Sequence, residues 1–191
     1  MEADWEFEVG PDTAGLAAPV IDACWPGFVD LRHNPERAWE LAEAAQLPAL
    51  AETLAKLNAP ASPIWTAKCD YWPHIEAEEF DPDELDAPHG CADVALGCYI
   101  DLLPSGDQQW ALPEMAESWC KRVCGFLRAV PLRYCRADLV IRRAFLTPKL
   151  ISMGVTAYLT ACGASPAEAK RTLQAALAIF ADVLRSHSTI E

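Results

Sequence analysis

The chain has 191 residues, a hydrophobic fraction of 52% with seven Trp, and a formal net charge of -13. That length fits one domain that folds without a metal or disulfide staple, and the composition is too apolar for a disordered chain. The acidic balance argues against nucleic acid and against an anionic membrane, since both attract basic surfaces; a basic protein or a small molecule fits better. An acidic surface also keeps a protein soluble with no partner at all.

The first residues, MEADWEFEVG, lack the basic n-region and apolar h-region of a secretory signal, and no apolar run approaches the ~18 residues that span a bilayer. The sequence therefore predicts a cytoplasmic chain. Eight cysteines occur without a CxxC pair, most of them inside apolar segments where a reduced Cys acts as a small hydrophobe.

Residues 1–33 read as an irregular N-terminal segment packed on the main domain, and residues 34–191 as a single domain. A short strand over Trp5-Glu6-Phe7-Glu8-Val9 fits the alternation there, before Pro11, Gly15, Pro19, Pro26 and Gly27 break up any long element. Asn34 and Pro35 supply an N-cap and a first helical position, and Pro48 divides the helix that follows into pieces at about 35–46 and 48–57. Trp65 to Trp72 reads as a strand with Trp65, Ala67, Cys69 and Tyr71 on one face and Thr66, Lys68, Asp70 and Trp72 on the other. Residues 73–90 form a proline-punctuated acidic loop.

Val94, Leu96, Cys98, Ile100 and Leu102 then alternate with Asp93, Ala95, Gly97, Tyr99 and Asp101, the pattern of a half-buried strand. A helix follows over about 113–129, with Ala116, Trp119, Cys120, Val123, Cys124 and Leu127 as its buried stripe. Two more alternating strands cover about 134–145 and 152–162. In the last helix Ser165, Pro166 and Glu168 form a capping box, and Ala169, Leu173, Ala176, Leu177, Phe180 and Leu184 form the core stripe.

These elements predict an α+β two-layer sandwich: an antiparallel sheet of at least four strands, helices on one face, and a strand-strand-helix unit used twice after an N-terminal helix. Lys68-Cys69-Asp70 and Arg136-Ala137-Asp138 share a charge rhythm, which fits an old duplication without proving one. With residues 5–9 as a strand, the first six elements follow the ferredoxin-like order.

The strongest candidate site is the sheet face turned away from the helices. Alternation places Lys68, Asp70, Trp72, Tyr99, Asp101, Arg136, Arg142 and Tyr158 there, with Thr66, Asp138, Thr156 and Thr160. Aromatic and charged groups together on a flat surface suit a non-catalytic binding protein. A solvated face with cross-strand ion pairs is the plainer alternative, and a homodimer interface is a third use.

A small-molecule enzyme or ligand-binding domain is the competing function. Its pocket would lie between this face and residues 73–92, with Lys68, Asp70, Tyr99 and Asp101 for acid–base work. Cys69, His74, His89 and Cys91 have zinc-ligand chemistry at a spacing that matches no finger pattern, so no metal is assigned. The acidic run Glu76, Glu78, Glu79, Asp81, Asp83, Glu84 and Asp86 lacks the spacing of a calcium loop and reads as solvated or as a patch for a basic partner. No phosphate loop, nucleophile elbow, zincin helix or dinucleotide fingerprint occurs, so no cofactor is assigned.

Overall fold

A computed structural model of the chain describes residues 1–10, 18–75, 80–88, 92–105, 110–147 and 150–187. Six strands form one sheet: β1 (Glu2–Phe7), β2 (Ile21–Asp22), β3 (Ile64–Ile75), β4 (Val94–Pro104), β5 (Cys135–Thr147) and β6 (Leu150–Gly163). The helices are α1 (Ala42–Gln46), α2 (Pro48–Leu57), α3 (Pro113–Arg128) and α4 (Pro166–His187), with short 3-10 turns at Pro35–Glu40 and Asp83–Leu85. Among the described residues no helix is long and apolar enough to cross a membrane.

The strands lie in the order β1-β5-β6-β4-β3. β3–β4, β4–β6 and β5–β6 pair antiparallel, but β1 runs parallel to β5 and β2 continues parallel along the same edge. The sheet is therefore mixed, not antiparallel, and the ferredoxin-like order is not formed. The physical reason lies in the first seven residues. Their strand starts at Glu2 rather than Trp5, and Met1 and Ala3 are buried in the main core, so the N-terminus adds to the outer edge of β5.

The two hairpins, β3–β4 and β5–β6, meet through β4 and β6, which leaves β3 at one edge and β5 covered on its other side by β1 and β2. A helix follows each hairpin, α3 after β4 and α4 after β6. In α4, Ser165 Oγ accepts the Glu168 backbone N–H at 3.3 Å, satisfying a donor that the helix start would leave unpaired. Leu173, Leu177, Phe180 and Leu184 then present a fully buried stripe to β6 and α2. In α3, Trp119, Cys120, Val123, Cys124 and Leu127 are likewise buried, as their spacing requires.

One face of the sheet joins the helices in a single core that includes Leu96, Cys98, Ile100, Leu139, Val155 and Leu159. The opposite face is partly roofed. At one end Ile21, Ala23 and Phe28 pack on Trp65, Leu103 and Ala144. At the other, Leu85, Ala87 and Phe80 pack on Ala95, Cys162 and Ile75. The polar residues of that face thus form a floor between two apolar walls.

Two bulges in β3 decide which residues reach the floor. Thr66 pairs with Leu102 but Cys69 with Ile100, so Ala67 and Lys68 together oppose Asp101. A side chain changes face at such an inserted residue. Trp65 and Ala67 therefore lie on the roofed face with Leu103, while Thr66 turns to the helix side and bonds Asn58. The uniform alternation expected from 65 to 72 fails at this point. A second bulge follows between Trp72 and Ile75. It contains Pro73, whose missing N–H is tolerated on an edge strand at a bulge.

Candidate functional site

β4 and β6 lie side by side, with Tyr99 directly opposite Tyr158 and Asp101 opposite Thr156. Trp72 of β3 lies opposite Gly97, and its indole covers that glycine: a Cβ built there would stand 3.3 Å from the ring. The glycine lets the indole lie close to the sheet and reach both tyrosines. Ring centroids are 5.7 Å apart for Trp72 and Tyr99, 6.3 Å for Trp72 and Tyr158, and 5.9 Å for the two tyrosines. These are ordinary separations for interacting aromatic pairs. Trp72 remains 37% exposed, so the cluster forms a surface rather than a core.

Beneath this surface a polar chain runs across three strands. Thr156 donates its hydroxyl to Asp101 at 2.6 Å, and Arg142 donates to Thr156 Oγ1 at 3.0 Å and to the Tyr158 hydroxyl at 3.1 Å. The other side of the guanidinium donates through Nε to Glu8 at 2.8 Å. Asp101 is only 5% exposed, and burial lifts its carboxyl above the ordinary value despite the Thr156 hydrogen bond and the charges of Arg142 and Lys68. Burial, helped by the Asp101 and Asp70 charges, pushes the Tyr99 phenol up to about 12. Buried polar groups paired this fully form a rigid base.

The eight residues expected on one face fall into three places. Trp72, Tyr99, Asp101, Arg142 and Tyr158 form the cluster just described, with Asp70 exposed beside it. Arg136 instead bonds Asp138 at 2.7 Å and Glu84 at 3.4 Å, under the segment that contains Asp83–Leu85. Lys68 sets its ammonium 5.3 Å over the Trp25 ring, turned to the sheet edge.

Two of the cavities that adjoin the face bear on the expected sites. One of about 210 Å³ lies between the sheet and residues 80–85, and Arg136 and Asp138 line it. None of Lys68, Asp70, Tyr99 and Asp101 is among its described lining residues, so the acid–base set expected around that loop does not gather there. The other, of about 320 Å³, lies at the first β3 bulge and includes Trp25, Glu43, Lys68 and Tyr99 in its lining.

Among the described residues no group of three or more His, Cys, Asp or Glu side chains could hold a metal ion. His89 and Cys91 of the suggested set, and Glu76, Glu78 and Glu79 of the acidic run, lie outside the described residues. Cys69 packs against the main core, and burial pushes its thiol up to about 12. Cys120 and Cys124 are core side chains, and burial raises both thiols.

Sequence reasoning missed Glu8, Trp25 and Glu43 as members of these sites. Glu8 carried a signal, because it stands in the alternating N-terminal run; the other two carried none. Neither a known family model, nor a curated protein, nor a solved structure matches the chain.

Proposed function

We propose that this protein is a non-catalytic binding domain that receives a cationic segment of a protein partner on the surface formed by Trp72, Tyr99 and Tyr158. The supporting observation is the aromatic cluster itself, partly exposed between two apolar walls and seated on a hydrogen-bonded base. Rigid aromatic side chains give contact area at low entropic cost, and an indole face attracts guanidinium or ammonium groups. Exposed Asp70 beside the rings and the net charge of -13 both favour a basic partner and speed its approach.

The protonation states fit holding better than proton transfer. Tyr99 keeps its proton through neutral pH, and Asp101 is committed to the Thr156 hydroxyl. A general base works best with a pKa near the operating pH and a free path to its substrate.

Calorimetric titration with a short arginine-rich peptide, at low and at physiological salt, tests the reading. Saturable binding should weaken on Trp72→Ala and on Asp70→Asn, and salt should weaken it further. Equal affinity for the wild type and both variants would remove the aromatic surface from consideration.

A further inference from the structure

We propose that the cavity at the first β3 bulge binds a small zwitterion with an apolar body, its carboxylate on Lys68 and its ammonium on Glu43. The site shares Tyr99 with the aromatic surface, but the proposal does not depend on that surface's function.

The cavity has a volume of about 320 Å³. That is at the lower end of small-molecule sites, which run about 300–1,000 Å³. Its walls are chiefly apolar, with Trp25, Val29, Leu31, Leu41, Leu54 and Ala67 contributing. Lys68 and Glu43 are the charged side chains in the described lining. They do not pair with each other, and neither forms an ion pair with any other described residue. Both are half-buried.

Two opposite charges held apart on one apolar cavity define a ligand. A simple organic acid would pair with Lys68 but dry the Glu43 carboxylate without compensation. A simple amine would do the reverse. Removing an unpaired charge from water is expensive, so a ligand carrying both charges is favoured over either half of itself.

The local fold positions these groups. The bulge places Lys68 and Ala67 together opposite Asp101, and so aims Lys68 at the sheet edge. Trp25 forms the wall beneath its ammonium. That wall depends on Gly27, which has φ +108; a Cβ there would lie 2.7 Å from the Trp25 ring. Only glycine meets both conditions without strain. Thr66 and Tyr99 complete the described lining beside Lys68.

Apolar amino acids are the direct probes. L-phenylalanine and L-leucine are titrated calorimetrically into the wild-type chain, beside 3-phenylpropionate, which lacks the amine, and 2-phenylethylamine, which lacks the carboxylate. At least one amino acid should bind saturably, and phenylalanine, where it binds, on the order of tenfold tighter than either analogue, the effect of one charge-assisted hydrogen bond. Glu43→Gln should erase the advantage over 3-phenylpropionate, and Lys68→Met the advantage over 2-phenylethylamine, with melting curves confirming that both variants fold. No saturable binding of either amino acid, or analogues that bind the wild type as tightly as phenylalanine, would overturn the proposal. The wild-type comparison decides the matter even where a variant fails to fold.

Discussion

Arg142→Met isolates the polar base of the aromatic surface. The guanidinium is 13% exposed and donates to Glu8, Thr156 and Tyr158, joining the N-terminal segment to β6. Met keeps much of the aliphatic stem and removes every donor. Stripping one partner from a fully buried pair costs about 3–5 kcal/mol. Glu8 is 39% exposed and regains water when Arg142 goes, so its share falls toward the surface-pair value of about 1 kcal/mol or less. The Thr156 hydroxyl is buried and loses a donor, worth about 0.5–1.5 kcal/mol, although its own proton still goes to Asp101. Asp101 loses the stronger of the two cationic charges, Arg142 and Lys68, that offset its burial. The loss should total about 2–3 kcal/mol, or several degrees in melting temperature for a chain of this size. Urea unfolding at neutral pH measures it, with Glu8→Gln as the companion variant, expected to cost about 1 kcal/mol or less. A loss below about 0.5 kcal/mol for Arg142→Met would mean that the network does not stabilise the fold. A Glu8→Gln loss equal to that of Arg142→Met would mean that the exposed arm, not the buried one, matters.

Asp101→Asn tests the sign of the buried carboxyl. Its pKa is raised in the folded chain, so the fold holds the proton more tightly than the unfolded chain does, and stability falls as pH rises from the ordinary value of 3.8 through the raised one. The variant should therefore gain on the wild type as pH climbs through that window; a difference that stays constant with pH would refute the raised value. Leu177→Ala, at a fully buried position on α4, should cost about 2–5 kcal/mol by urea unfolding, and a loss under about 0.5 kcal/mol would contradict the packing of that helix.

Periodicity made most of the main core legible. The 3.6-residue stripes of α3 and α4 and the two-residue alternation of β4, β5 and β6 are set by burial on one side, which leaves a direct mark on residue type. The direction of β1 left no such mark. Parallel and antiparallel strands share the same alternation, and only the pairing partner distinguishes them, so the N-terminal strand gave no hint that it would add beside β5. The β3 bulges were hidden for a related reason. Ala67 and Lys68 are acceptable on either face of an edge strand, and one inserted residue shifts the phase without changing composition. The helix expected over 35–46 breaks into a 3-10 turn and α1, and Asn34 makes no side-chain cap bond. Its residues pack as a short connector to α2, where tertiary contacts outweigh propensity.

The same bulge explains why one expected site becomes two. Strict alternation would put Lys68, Asp70 and Trp72 in a row, with Lys68 a near neighbour of Asp101 and Tyr99 on the floor. The inserted residue instead sends the Lys68 ammonium out over Trp25, where it forms no ion pair with Asp101. Asp101 then takes Thr156 as its hydrogen-bond partner, and Arg142, tied to Glu8, supplies the larger positive charge, with Lys68 adding a smaller one. Each consequence has a cost that the other offsets. The floor gains a network anchored to the N-terminal segment, and the edge gains a cation that forms no ion pair with a described residue, beside a chiefly apolar cavity. Deleting Ala67 would remove the extra residue and restore alternation through β3. Lys68 would then compete with Arg142 for Asp101, and a zwitterion at the sheet edge would lose its counter-charge while the Trp72 surface remained.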